Sequence, residues 1–223
     1  VNVMAMRRSS ADLGFVHRFR PGRGSKLTLL LLHGTGGNEE DLITLGTALA
    51  PDASLLSPRG KVIENGMPRF FRRLAEGVFD VEDLKFRSKE LADFVKAASV
   101  RYGFESKQVV LVGYSNGANI AAGMLLAGSL LPAGALLFRP MVPLTPEELP
   151  NLKGIPVFIS AGRFDQVVPL GEVERLSRLF VEAGAEVTLN WENGTHALAG
   201  QEVKKAANWL LENFGSWTPG AKL

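Results

Sequence analysis

Val109-Val110-Leu111-Val112-Gly113-Tyr114-Ser115-Asn116-Gly117-Ala118-Asn119-Ile120-Ala121-Ala122 reads as a buried strand, a sharp turn and a helix of small residues. The four opening residues are apolar without alternation, as in a strand covered on both faces. Gly113 to Gly117 then has the G-x-S-x-G spacing of a strand-turn-helix elbow. A serine at its centre sits in a sparsely populated backbone region, and crowding requires small residues two before and two after it. The helix N-terminus that follows offers partial positive charge to a developing oxyanion. Five residues of this pattern are common by themselves. Their placement between a strand and a helix makes Ser115 a candidate nucleophile rather than a solvated serine in an ordinary turn.

Outward from this stretch the chain alternates short apolar runs with longer amphipathic ones. Leu27–Leu32, Ala53–Leu56, Ala135–Phe138, Val157–Ile159 and Val187–Trp191 read as further buried strands. Phe15–Arg20 alternates and reads as an antiparallel edge strand. Leu91, Phe94, Val95, Ala98 and Tyr102 share a helical face. So do Val173, Leu176, Leu179 and Phe180, and again Val203, Ala206, Ala207, Leu210, Leu211 and Phe214. Strand–helix alternation predicts an α/β fold with a doubly wound, mostly parallel sheet flanked by helices, its site at the C-terminal strand ends. The expected organisation is one domain over 1–223, with 1–13 as a loosely ordered N-terminal extension. The first residues, Val1 to Met4, are compatible with a start upstream of the natural one.

A nucleophilic serine needs a base and an acid, which follow it in that fold in the order nucleophile, acid, base. His196 is the only one of the three histidines after Ser115, in the loop Asn193-Gly194-Thr195-His196 beyond an expected strand. Asp165 is the only aspartate after Ser115, in Ala161-Gly162-Arg163-Phe164-Asp165-Gln166, also beyond a strand. The plainer readings are a surface histidine and a helix cap. Glu147 and Glu148 are the next candidate acids, on a proline-rich loop. His33-Gly34-Thr35-Gly36-Gly37 follows the first long strand. Its glycines let backbone approach a ligand closely, so the Thr35 and Asn116 N–H groups form the expected oxyanion hole. His33 is expected to fasten this loop by hydrogen bonds rather than move protons.

Composition narrows the alternatives. The 223 residues carry 25 basic and 23 acidic side chains, and a net charge of +2 provides no basic stripe for nucleic acid. The absence of cysteine excludes a disulfide framework, a thiolate metal site and a cysteine nucleophile. No run approaches the roughly 18 apolar residues of a membrane span, and no leader is visible. A cytoplasmic protein without stable membrane association is expected, and a homodimer remains open.

Leu32-His33-Gly34-Thr35-Gly36-Gly37-Asn38-Glu39, Gly113 to Gly117, Gly162-Arg163-Phe164-Asp165-Gln166-Val167-Val168-Pro169 and Gly194-Thr195-His196 occur in that order. Together they resemble the phospholipase/carboxylesterase family of α/β-hydrolases, which includes acyl-protein thioesterases. Pro58-Arg59-Gly60, Phe70 to Arg73 and Phe79-Asp80 resemble its bacterial carboxylesterase branch. The resemblance spans roughly residues 25 to 214. It implies ester or thioester hydrolysis by Ser115, Asp165 and His196, with no cofactor and no metal. Asn116 stands where the thioesterases usually have glutamine, which weakens transfer of an acyl-protein substrate.

Arg139 to Gly154, where an inserted lid would fall, holds four prolines and cannot form a helical cap. Without a large lid domain, a shallow pocket walled by Phe71, Met141 and Val168 is expected. Phe70 to Arg73 reads equally well as a solvated loop. The expected function is a serine carboxylesterase acting on small-molecule, short-chain esters. The alternatives are an acyl thioesterase or lysophospholipase with the same triad, and a non-catalytic binding protein on a hydrolase scaffold.

Overall fold

The computed structural model describes residues 8–9, for which only the backbone is described, and 13–215. In chain order the first half contains β1 (Arg8–Ser9), β2 (His17–Arg20), β3 (Thr28–Leu32), α1 (Ile43–Leu49) and β4 (Ser54–Pro58). Two short hairpins follow, β5 (Val62–Glu64) with β6 (Met67–Arg69), and β7 (Arg73–Ala75) with β8 (Val78–Phe79). The second half contains α2 (Val81–Tyr102), β9 (Val109–Tyr114), α3 (Asn116–Leu126), β10 (Gly134–Phe138), β11 (Pro156–Gly162), α4 (Leu170–Glu182), β12 (Glu186–Glu192) and α5 (Gly200–Phe214).

The main sheet has the order β1-β2-β4-β3-β9-β10-β11-β12, parallel from β4 to β12 and antiparallel at β1/β2 and β2/β4. The chain steps outward from β3 to β4, then returns to lay β9 against the other side of β3. The loops leaving β3 and β9 therefore diverge at a topological switch point, where open α/β sheets leave a crevice. The continuous apolar runs are explained by two cores, one on each face. Leu30, Leu32, Val109 and Leu111 face the helices α2, α3 and α4, whereas Leu29, Leu31, Val110 and Val112 face α1 and α5. Full burial of one such side chain is worth about 1.5–3 kcal/mol, so alternation is lost where both faces of a strand are covered by apolar helices.

Local signals set the helix ends. In α2 the Asp80 carboxylate accepts from the Asp83 N–H, and Gly103 ends the helix with φ 73°. The 22-residue α2 buries Leu84, Leu91, Ala92, Val95 and Ala98 against the small residues of α3.

One expectation changes at the N-terminal side. β2 is antiparallel, but it is not the edge of the sheet, because the backbone of Arg8–Ser9 pairs on its outer side. Those two residues therefore extend the sheet, and Leu13 packs on the core; the rest of the expected extension lies outside the described residues.

Two buried histidines make stability depend on pH. His17 donates from Nδ1 to Phe15 O (2.7 Å), with Nε2 2.8 Å from the Tyr102 hydroxyl. The His33 Nε2 accepts from the Gly60 N–H (3.0 Å), which leaves Nδ1–H to donate to Gly34 O (2.7 Å). Burial holds both imidazoles below their ordinary value of 6.5, outweighing the carbonyl bonds that favour protonation. Because the unfolded chain then binds protons more readily, their contribution to stability is full above the unfolded value and declines as pH falls toward the folded values. The urea midpoint is expected to drop from about pH 7 to about pH 5, and to drop less in His17→Gln/His33→Gln. Equal slopes for the two proteins would contradict this.

Candidate active site

Ser115 lies between β9 and α3 with φ 52° and ψ −115°, a strained conformation for a residue with a side chain. The crowding around it is visible in its flanking glycines. A Cβ on Gly117 would lie 1.9 Å from Leu32 O, and one on Gly113 would lie 2.4 Å from Gly117 O. Ser115 N–H donates to Phe138 O and Ser115 O accepts from Asn119 N–H, both at 2.9 Å, so the turn is held on both sides.

Asp165 and His196 lie on the loops after β11 and β12, which are adjacent and in register from Pro156↔Glu186 to Gly162↔Glu192. Beyond that register the loops stay joined. Arg163 N–H donates to Glu192 O (2.8 Å) and Phe164 N–H to Gly194 O (3.0 Å). Gly162 has to lack a side chain, because a Cβ there would meet the carbonyls of Gly194 and Thr195 at 2.5 Å.

The three predicted residues come together. His196 Nδ1 lies 2.8 Å from Asp165 Oδ2, and His196 Nε2 lies 3.0 Å from Ser115 Oγ. An ionised carboxylate only accepts, so Nδ1–H donates to Asp165 and Nε2 is left to accept from the Ser115 hydroxyl. The Asp165 side chain is 1% exposed and that of His196 24%. Asp165 does not cap α4, whose N-cap is Pro169; its other oxygen, Oδ1, instead braces the preceding loop by accepting from the N–H groups of Val167 (2.8 Å) and Val168 (3.1 Å). Four hydrogen-bond sites on one carboxylate let it brace its own loop and the imidazole together.

The loop after β3 faces this group from the far side of the switch point. Among the described residues no hydrogen bond from the Thr35 or Asn116 N–H is found within the chain. Their side-chain oxygens are occupied, whereas the buried Asn116 Nδ2 has no hydrogen-bond partner among the described residues. Thr35 Oγ1 accepts from Arg69 Nη1 (2.7 Å) and Asn116 Oδ1 accepts from Phe70 N–H (2.8 Å). Gly36 N–H donates to Pro68 O (2.9 Å), so β6 buttresses the loop. His33, 1% exposed, fastens the same loop to Gly60 and lies against the Phe70 ring.

The expected pocket walls need correction. Phe71 is fully buried, packed edge-on to Phe79 and beneath the Arg69 guanidinium. Val168 is 3% exposed and belongs to the core. Phe71, between the two hairpins, and Val168, before α4, both pack into the same core, so neither side chain is exposed to an open pocket. Met141 is half-buried, its N–H donating to Asn119 Oδ1 (2.7 Å), with the Gly77 turn of the second hairpin close to its methyl. The apolar groups exposed on these segments are instead Ile63, Met67, Leu74, Val78, Phe164 and Val167. The stretch between β10 and β11 contains no helix and forms no large lid. Sequence reading also passed over two buried charged residues near the triad, Arg139 and Glu202. The only sequence signal was an arginine directly after an apolar strand.

A mostly parallel doubly wound sheet, with a strained serine after β9 and an aspartate and histidine after β11 and β12, defines an α/β-hydrolase fold. The chain belongs to the phospholipase/carboxylesterase family, whose model matches residues 19–213. It is 48% identical over 196 residues to MhqD of Bacillus subtilis (strain 168), covering 88% of this chain and 98% of that protein. Among solved structures it is similar to the Bacillus cereus carboxylesterase, with 51% identity, a TM-score of 0.86, and coverage of 88% of this chain and 93% of that one. It also resembles the Mesorhizobium loti carboxylesterase, with 29% identity, a TM-score of 0.82, and coverage of 90% and 96%.

Proposed function

We propose that this chain is a serine carboxylesterase that hydrolyses short-chain esters through an acyl-enzyme. The observation that carries the reading is the continuous hydrogen-bond path from Ser115 Oγ through His196 to Asp165, of 3.0 and 2.8 Å. Nε2 of His196 takes the hydroxyl proton as Ser115 Oγ attacks the ester carbonyl. The Thr35 and Asn116 N–H groups, without another hydrogen-bond partner among the described residues, hold the oxyanion. His196 then returns the proton to the departing alkoxide, the C–O bond to the alcohol breaks, and the acyl group remains on Ser115. Water, deprotonated by the same nitrogen, releases the acid. Asp165 keeps the imidazole in the tautomer this cycle needs and stabilises the imidazolium.

Ester hydrolysis, rather than another acyl transfer, is supported by the carboxylesterases of Bacillus cereus and Mesorhizobium loti among its relatives. The preference for short acyl chains is supported by the absence of a helical lid between β10 and β11 and by the burial of Phe71 and Val168, both of which favour a shallow site. A second reading, an acyl thioesterase or lysophospholipase, is favoured by one feature, the exposed apolar groups Leu74, Val78, Phe164 and Val167 on the same face. Aryl esters of graded acyl length separate the two. Butyrate-length esters are expected to be cleaved faster than palmitate-length ones, with no jump in rate when substrate forms micelles. Faster cleavage of the long chains, or a sharp rise at the micellar threshold, would replace the first reading by the second.

A further inference from the structure

Arg139 stands directly after β10, between the strands that carry Ser115 and Asp165, and its side chain is 1% exposed. Its backbone has φ 57°, a conformation rare for a residue other than glycine, and Pro140 follows it. Every donor of its guanidinium is used. Nη1 and Nη2 donate to the two oxygens of Glu202 at 2.7 and 2.8 Å. Nε donates to Thr195 O (2.9 Å), Nη2 also to Ala197 O (2.9 Å), and Nη1 also to Ser160 O (3.3 Å). Glu202, fully buried, is equally complete. Beyond the arginine it accepts from the Ser160 hydroxyl and from the Ala199 N–H, each at 2.6 Å.

The recipients of these bonds form a pattern. Thr195 O and Ala197 O are the carbonyls on either side of His196. The carbonyl between them, His196 O, accepts from the Tyr114 hydroxyl (3.1 Å). Three successive carbonyls of the histidine loop are thus held by side chains from the ends of β9 and β10, and Ala199 N–H by Glu202. Arg139 Nε also lies 3.9 Å from Asp165 Oδ2, so one guanidinium touches the histidine loop and faces the aspartate. A buried ion pair is a costly way to fill a core, and an apolar pair of equal volume often serves stability as well. Its donors are spent here on backbone carbonyls that a shorter or apolar side chain could not reach.

We propose that Arg139, held by Glu202, is a positioning residue that fixes His196 between Ser115 and Asp165. The inference rests on the esterase reading for its kinetic consequence and on geometry for the rest. Two variants test it. Arg139→Lys keeps a charge beside Glu202 but loses the planar fork. Arg139→Met/Glu202→Gln removes the Arg139 and Glu202 charges together, leaving Asp165 with its bonds to His196 and to the Val167 and Val168 N–H groups. In each, with near-UV circular dichroism as in the wild type, kcat for a short-chain aryl ester is expected to fall about 10- to 100-fold while KM stays within about threefold. A sharp downfield proton resonance from the His196 Nδ1–H···Asp165 bond is expected in the wild type and is expected to broaden or vanish in both variants.

A folded Arg139→Lys with kcat within about threefold of the wild type would overturn the proposal, as would a loss confined to KM. So would a fall in kcat with the resonance unchanged, since His196 would then be held without the guanidinium. The resonance needs no substrate. If the wild type showed it but cleaved no ester, the esterase reading would fail, and the resonance in the variants would still decide the role of Arg139.

Discussion

Ser115→Ala is expected to lower ester turnover by about four to six orders of magnitude while leaving the fold intact. The strained turn is retained in the variant, because alanine has the same Cβ and the turn is held by backbone bonds to Phe138 and Asn119 rather than by the hydroxyl. What is lost is the only oxygen within hydrogen-bond reach of His196 Nε2 on the side away from Asp165 among the described residues. His196→Ala should lower turnover similarly. The double variant should be little worse than either single one, because a nucleophile without its base and a base without its nucleophile fail at the same step. Initial rates on one short-chain ester, with urea midpoints as the control for folding, check all three. Retention of more than about a tenth of wild-type turnover by Ser115→Ala would remove it as the nucleophile.

Asp165→Asn is expected to lower kcat by about 10⁴-fold, with a much smaller change in stability. The two oxygens of Asp165 divide their work: Oδ1 accepts from the Val167 and Val168 N–H groups, and Oδ2 from His196. The asparagine carbonyl can keep the first pair of bonds, so the loop retains its shape. Its amide then faces Nδ1 and donates to it, which moves the imidazole proton to Nε2. In that tautomer His196 cannot accept the Ser115 proton. Asp165→Ala loses both sets of bonds and should therefore cost stability as well as activity. Comparing the urea midpoints and kcat of the two variants separates bracing from catalysis. Near-normal turnover in Asp165→Asn would move the acid role elsewhere.

The strands and the three chemical residues were legible because each left a local mark. Val109 to Val112 is apolar without alternation because two cores cover it, and that pattern survives in any reading of the chain. Asp165 and His196 were singled out because nothing else of their kind follows Ser115 at a strand end. The misses have physical causes. α1 is seven residues long with Gly46 in its middle, which leaves too little periodicity to recognise. The hairpins are two or three residues per strand, too short for a readable alternation, and Phe71 between them packs into the core rather than walling a pocket. Asn116 was read for its backbone N–H alone; its side chain carries a second duty by anchoring Phe70. Arg139 and Glu202 are 63 residues apart, and no local pattern announces that two such charges will neutralise one another in a core.

The most direct test is the mass of the intact protein after treatment with a fluorophosphonate, followed by peptide mapping. A single adduct on Ser115 is expected, absent from Ser115→Ala and formed far more slowly by His196→Ala. An adduct on another residue, or labelling of Ser115→Ala at the wild-type rate, would contradict the assignment of Ser115 as the nucleophile.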